Sequence, residues 1–191
     1  MRKMSLRVRV LTGAFAAAVL GAGTFGAVSA NASAQAAPAP ATAEAEATAE
    51  AEATDRNVRQ TTHLTVAAAT RAAQAALKAA QNENQRVTVA VVDRDGNTVV
   101  TLRGDGAGPQ SYESSQRKAF TAVSWNAPTS ELAQRLQQAP NLKDIPGTLF
   151  LAGGVPVRAQ GAPIAGVGVA GAPSGDLDEK FARAAVAALG K

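Results

Sequence analysis

The chain has 191 residues, enough for one domain with extensions, and 46% of them are apolar, although aromatics make up only 4%. It has no cysteine and a single histidine, which excludes disulfide scaffolds, zinc knuckles, iron–sulfur clusters, cysteine nucleophiles and multi-histidine metal sites. The formal charge of +4 includes Arg2, Lys3, Arg7 and Arg9, all in the first ten residues; without these four the chain is balanced, and no basic stripe interleaved with aromatics points to nucleic acid.

Those four cations precede an uncharged apolar and small-residue run from Val10 to Val28, followed by small-residue sites from Ser29 to Ala34. This order predicts a secretory signal peptide over residues 1–34 and hence an extracellular, envelope-associated protein. A membrane anchor is the competing reading, but the Gly and Ala content of the run and the cleavage-like sites favour a leader. Residues 35–61 read as a solvated spacer. In it Thr42-Ala-Glu-Ala-Glu-Ala repeats at once from Thr48, offering repelling Glu44, Glu46, Glu50 and Glu52 and no large side chain to bury.

The folded part is expected over residues 62–191. Thr65 can cap a helix running to Asn82, with Arg71, Gln74, Lys78 and Gln81 on one polar stripe and Ala elsewhere. Val87 to Val92 and Thr98 to Leu102 read as a hairpin about Asp93–Asn97. Gly104 to Pro109 is a loop; its glycines lack the lysine and serine of a phosphate loop. Helices follow from Ser111 to Trp125 and from Thr129 to Gln138, parted by Asn126 and Pro128. Thr148 to Ala152 is expected as a strand, Val155–Arg158 and Ile164–Val169 as a strand pair, and Asp176 to Leu189 as a closing helix. The sum is an α+β single domain with a mainly antiparallel sheet of about five strands flanked by helices. Asp176 with Glu179 three residues on has the form of a capping box.

Four stretches carry a resemblance. They are Val89 to Asn97, Lys118-Ala-Phe-Thr-Ala122, Gly153-Gly154 with Pro156, and Gly161 to Gly171 followed by Asp178-Glu179. On them, Leu64 to Lys191 resembles the GlcG/HbpS-like family. Val169-Ala170-Gly171 favours its secreted haem-binding branch over the cytoplasmic one. The resemblance implies haem and iron binding outside the membrane, assembly into a homo-octamer, and interaction with a membrane sensor histidine kinase of a redox-responsive two-component system. It also implies an unusual haem ligand, a threonine, at Thr148, and an iron site at Asp176 and Glu179. Among ordinary haem ligands the chain beyond its leader offers His63 and Tyr112, and His63 is the competing ligand. An extracellular haem-degrading enzyme and a small-metabolite or corrinoid-binding module are the alternative functions; no general acid–base pair or nucleophile is evident for the enzyme.

Overall fold

The computed structural model describes residues 52–190. The expected signal peptide, and the spacer as far as residue 51, lie outside them. From Glu52 the chain forms one compact unit. Glu52 to His63 are exposed, with a short 3-10 turn at Asp55–Asn57. No helix among the described residues is long and apolar enough to cross a membrane.

Helix α1 spans Val66–Asn82, and Thr65 caps it by accepting from the Ala68 amide. Its polar stripe is exposed as expected, and Ala69, Ala72, Ala73, Ala76 and Ala80 are buried. Strands β1 (Thr88–Asp93) and β2 (Thr98–Arg103) form the hairpin. Helix α2 (Gln110–Trp125) ends where Asn126 turns left-handed, and α3 is a short helix, Thr129–Arg135. Strands β3 (Gly154–Ala159) and β4 (Ala162–Ala170) precede α4 (Gly175–Ala187). The turn between β3 and β4 is Gln160-Gly161, both at positive φ, and β4 begins two residues before Ile164, taking in Pro163.

The sheet has four strands in the order β2-β1-β4-β3, every pair antiparallel. It has one strand fewer than expected because Thr148–Ala152 is not a strand. The Thr148 amide and hydroxyl both bond to the Ile145 carbonyl, which curls the segment into a turn instead of offering it to a sheet edge.

Strand alternation sorts the two faces of the sheet. Val89 and Val91 of β1, with Ala165, Val167 and Val169 of β4, join α1 and α4 in the main core, where Phe181 is fully buried. The opposite face is short of large side chains, Val92 against Ala119 and Val123 being an exception, and receives α2. Gly154 and Gly168 sit side by side on β3 and β4, with Gly166 beside them. A Cβ at Gly168 would collide with the Ser115 carbonyl, one at Gly166 with that of Ala119, and one at Gly154 with that of Lys118. Gly168→Ala is therefore expected to cost about 3 kcal/mol, because helix backbone cannot yield as a side chain can; a lowered urea midpoint would measure it.

Candidate functional site

Helix α2 presents opposite sides to two environments. Its inner side carries Ser111, Ser115, Lys118, Ala119 and Ala122, all buried. Lys118 is the charged member of this set. Its Nζ donates to Asp178 Oδ2 at 2.8 Å and to the Val169 carbonyl at 3.1 Å, while Asp178 Oδ1 accepts from the Ala172 amide at 3.0 Å. Both side chains are almost wholly buried, so the pair ties α2 to β4 and to the first turn of α4. Desolvation raises the Asp178 pKa above its ordinary value, against the pull of Lys118 and the backbone amides. Asp178 thus holds its proton more tightly folded than unfolded, and its contribution to stability falls as pH rises from 3.8 through the folded value.

The outer side of α2 carries Glu113, Gln116, Arg117 and Phe120, at spacings that make one stripe. Gln116 reaches Thr101 of β2 at 3.3 Å. Arg117 Nη2 donates to the Thr148 carbonyl at 2.7 Å, and Thr121 Oγ1 accepts from the Leu149 amide at 2.8 Å while donating to the Arg117 carbonyl. Arg117 and Thr121 together clasp the segment Ile145–Leu149 against the helix. Phe120 lies between two glycines. A Cβ at Gly96, in the β1–β2 turn, would come within 3.0 Å of its ring, and one at Gly147 within 3.6 Å.

This geometry relates the two expected haem ligands. His63 sits at the β1–β2 turn, its Nε2 at 2.7 Å from Thr61 Oγ1 and 3.6 Å from Asp95 Oδ2, with Asp93 close enough to complete a three-residue group. Asp93 Oδ1 is taken by the amides of Asp95 and Asn97, which shape the turn. His63, Asp95, Gly96, Phe120, Gly147 and Thr148 therefore form one run of neighbours. The two candidates differ in access. The His63 side chain is 41% exposed, whereas Thr148 is 2% exposed with its hydroxyl donating to the Ile145 carbonyl at 2.7 Å. Tyr112 is exposed on the first turn of α2. Trp125 and Phe120 do not share a face: Trp125 meets Phe150 edge-on at 5.7 Å in a separate cluster.

Asp176 and Glu179 lie elsewhere, on α4. The capping box drawn from them is corrected: the N-cap is Ser174, whose hydroxyl accepts from the Leu177 amide, and the helix begins one residue before Asp176. Glu179 instead caps a different helix. Its oxygens accept from the Ser130 amide and hydroxyl at the start of α3, and from Arg183 at 2.7 Å. Burial pushes its pKa up, but the Ser130 and Arg183 contacts outweigh this and leave it below 4.5, so its stabilising contribution is present above that value and is lost as pH falls. Asp176, Glu179, Ser130 and Arg183 line a shallow cavity of about 310 Å³.

Three residues escaped the sequence reading. Lys118 and Asp178 appeared only as part of a resemblance, although a lysine on the same helical side as Ser111, Ser115 and Ala122 is a legible sign of a buried partner. Arg117 gave no sign, because what it binds is a main-chain carbonyl 31 residues away.

The fold and site define an α+β domain whose antiparallel sheet is covered by one helix on one face and two on the other. A family model described as "Haem degrading protein HbpS-like" matches residues 64–187, and the chain belongs to this HbpS-like family. It is similar to a crystal structure of a double mutant of HbpS from Streptomyces reticuli, with 70% identity and a TM-score of 0.74 over 76% of this chain and 99% of that one. A crystal structure of HbpS gives 72% identity and a TM-score of 0.73 over 74% and 100% of the two chains. A crystal structure of a PduOC:heme complex gives 29% identity and a TM-score of 0.61 over 66% of this chain and 95% of that one.

Breaking the buried ion pair tests the account of α2. Asp178→Asn strands the Lys118 ammonium in the interior and is expected to cost about 3–5 kcal/mol, while the double change Lys118→Met with Asp178→Leu recovers much of the loss; urea denaturation at pH 7 reads both.

Proposed function

We propose that this chain is a secreted haem-binding accessory protein that reports haem or redox stress to a membrane sensor histidine kinase. The observation that carries the haem reading is the run of neighbours from His63 through Phe120 to Thr148, in a chain whose family and whose relative in complex with heme both point to that ligand. A porphyrin needs an apolar surface for its ring, a cation for its carboxylates and a donor atom for its iron. Phe120 and Ile145, the latter 40% exposed, supply the first; Arg117 supplies the second. His63 offers an accessible imidazole. Thr148 offers a hydroxyl that reaches a ligand only when the Ile145–Thr148 turn opens. Bound haem would supply a redox-active iron, and the protein would position it.

Iron ions at Asp176 and Glu179 form a second part of the proposal. A cation there has to draw Glu179 away from Ser130 and Arg183, which favours weak, exchangeable binding. The kinase partner and a homo-octameric assembly rest on the family resemblance. Export rests on the basic, apolar and small-residue order of residues 2–34. The family description favours one alternative, haem degradation, in which haem is the substrate rather than a lasting ligand.

Haemin titration followed by its Soret band separates these readings. A stable shift is expected for the unaltered protein, and catalytic loss of the porphyrin under peroxide would establish degradation instead. His63→Ala and Thr148→Ala identify the ligand: the variant that alters the spectrum marks the axial donor, and two unchanged spectra would leave neither residue on the iron. Culture fluid is expected to contain a chain that begins near Ala34 by mass and sediments as an octamer. A membrane-bound chain retaining Met1 would overturn export, and a monomer at micromolar concentration would overturn the assembly.

A further inference from the structure

We infer that Arg117 recognises the carboxylates of the porphyrin and that this exchange of partners releases the Ile145–Leu149 segment from α2. The inference rests on the haem reading above and adds to it a residue and a conformational consequence. Arg117 spends one hydrogen bond on the neutral carbonyl of Thr148. Its Nη1 lies 3.6 Å from Glu113, whose side chain is 77% exposed, a separation and setting that leave this pair weak. The Arg117 side chain is 40% exposed, one turn from Phe120 on the same side of α2. A planar five-donor fork prefers a carboxylate, which it can bind bidentately, to a single neutral oxygen.

Three other cations are already engaged. Lys118 is buried against Asp178 and Val169. Arg158 makes two bonds to Asn126, and Arg183 is held by Glu179. Arg94 is exposed on the β1–β2 turn, next to Asp95 in the chain, and serves as the control.

When a carboxylate takes the Arg117 fork, the Thr148 carbonyl loses its donor. The clasp then rests on the bond from the Leu149 amide to Thr121. The turn that keeps Thr148 buried, its hydroxyl on the Ile145 carbonyl, is freed to open, so ligand capture and exposure of the hydroxyl become one event.

The test titrates the full chain, Arg117→Gln, Arg117→Lys and Arg94→Gln with haemin and with haemin dimethyl ester, which keeps the ring and iron but lacks free carboxylates. Arg117→Gln is expected to weaken haemin binding about tenfold or more, as loss of a charge-assisted contact does. Arg117→Lys should recover part of this, and Arg94→Gln should change little. The ester should bind the unaltered protein and Arg117→Gln alike. Amide exchange at Thr148 and Leu149 should quicken with haemin and not with the ester. Unchanged haemin affinity in Arg117→Gln, or an equal loss for haemin and ester, overturns carboxylate recognition while leaving haem binding standing. Slowed or unchanged exchange with haemin overturns release of the segment. Failure of the unaltered protein to bind haemin removes the haem reading itself, and this inference with it.

Discussion

The close seat of α2 on a glycine surface is the constraint from which the rest of the domain follows. Gly154, Gly166 and Gly168 leave no side chains between strand and helix, so the carbonyls of Ser115, Lys118 and Ala119 approach the sheet directly. The helix answers with small residues. Ser111 and Ser115 satisfy their hydroxyls on carbonyls of their own preceding turn, and Thr88 of β1 shares a 2.7 Å bond with Ser111. Most large aliphatic side chains of the sheet thereby lie on its other face, where α1 and α4 close over Val89, Val91, Val167 and Val169, while Val92 packs against Ala119 and Val123 of α2.

A helix held this tightly can carry charge on both sides. Inward, Lys118 has to be neutralised, and Asp178 is brought to it from the first turn of α4. Such a pair adds little net stability compared with apolar residues of the same volume, yet either partner alone is costly, so the pair fixes α2, β4 and α4 in a single arrangement. The neighbouring Glu179 acts on α3 in a similar way, holding Ser130 by amide and hydroxyl. Two adjacent carboxylates of α4 thus order two other helices.

Outward, the same rigidity makes α2 a platform. Phe120 fills the space between the β1–β2 turn and the Ile145–Leu149 segment, and Arg117 and Thr121 hold that segment down. The segment lacks the ladder bonds of a strand and depends on these few contacts, which places it among the parts of the domain able to open at low cost. The proposed haem chemistry is accordingly assigned to the outer border of α2, and the core is left undisturbed.

The elements themselves were legible in the sequence wherever a local rule operates. The Ala stripe of α1 with its Thr65 cap, the β-branched runs of the first hairpin and the Asn126–Pro128 break between α2 and α3 each follow from side chains within a few residues of one another. The resemblance carried by Lys118–Ala122 and Gly161–Gly171 led to the family. Thr148–Ala152 was misread as a strand because its β-branched and aromatic residues satisfy strand propensity, whereas Arg117, Thr121 and the Ile145 carbonyl decide its shape from outside. Glu179 has the spacing of a cap for its own helix but caps α3, since Ser174 already fills the local role. Partners distant in sequence, such as Lys118 with Asp178 or Phe120 with Gly96 and Gly147, are set by how the helices lie on the sheet. Local sequence fixes which side of a helix a residue occupies; only tertiary packing decides what stands opposite it.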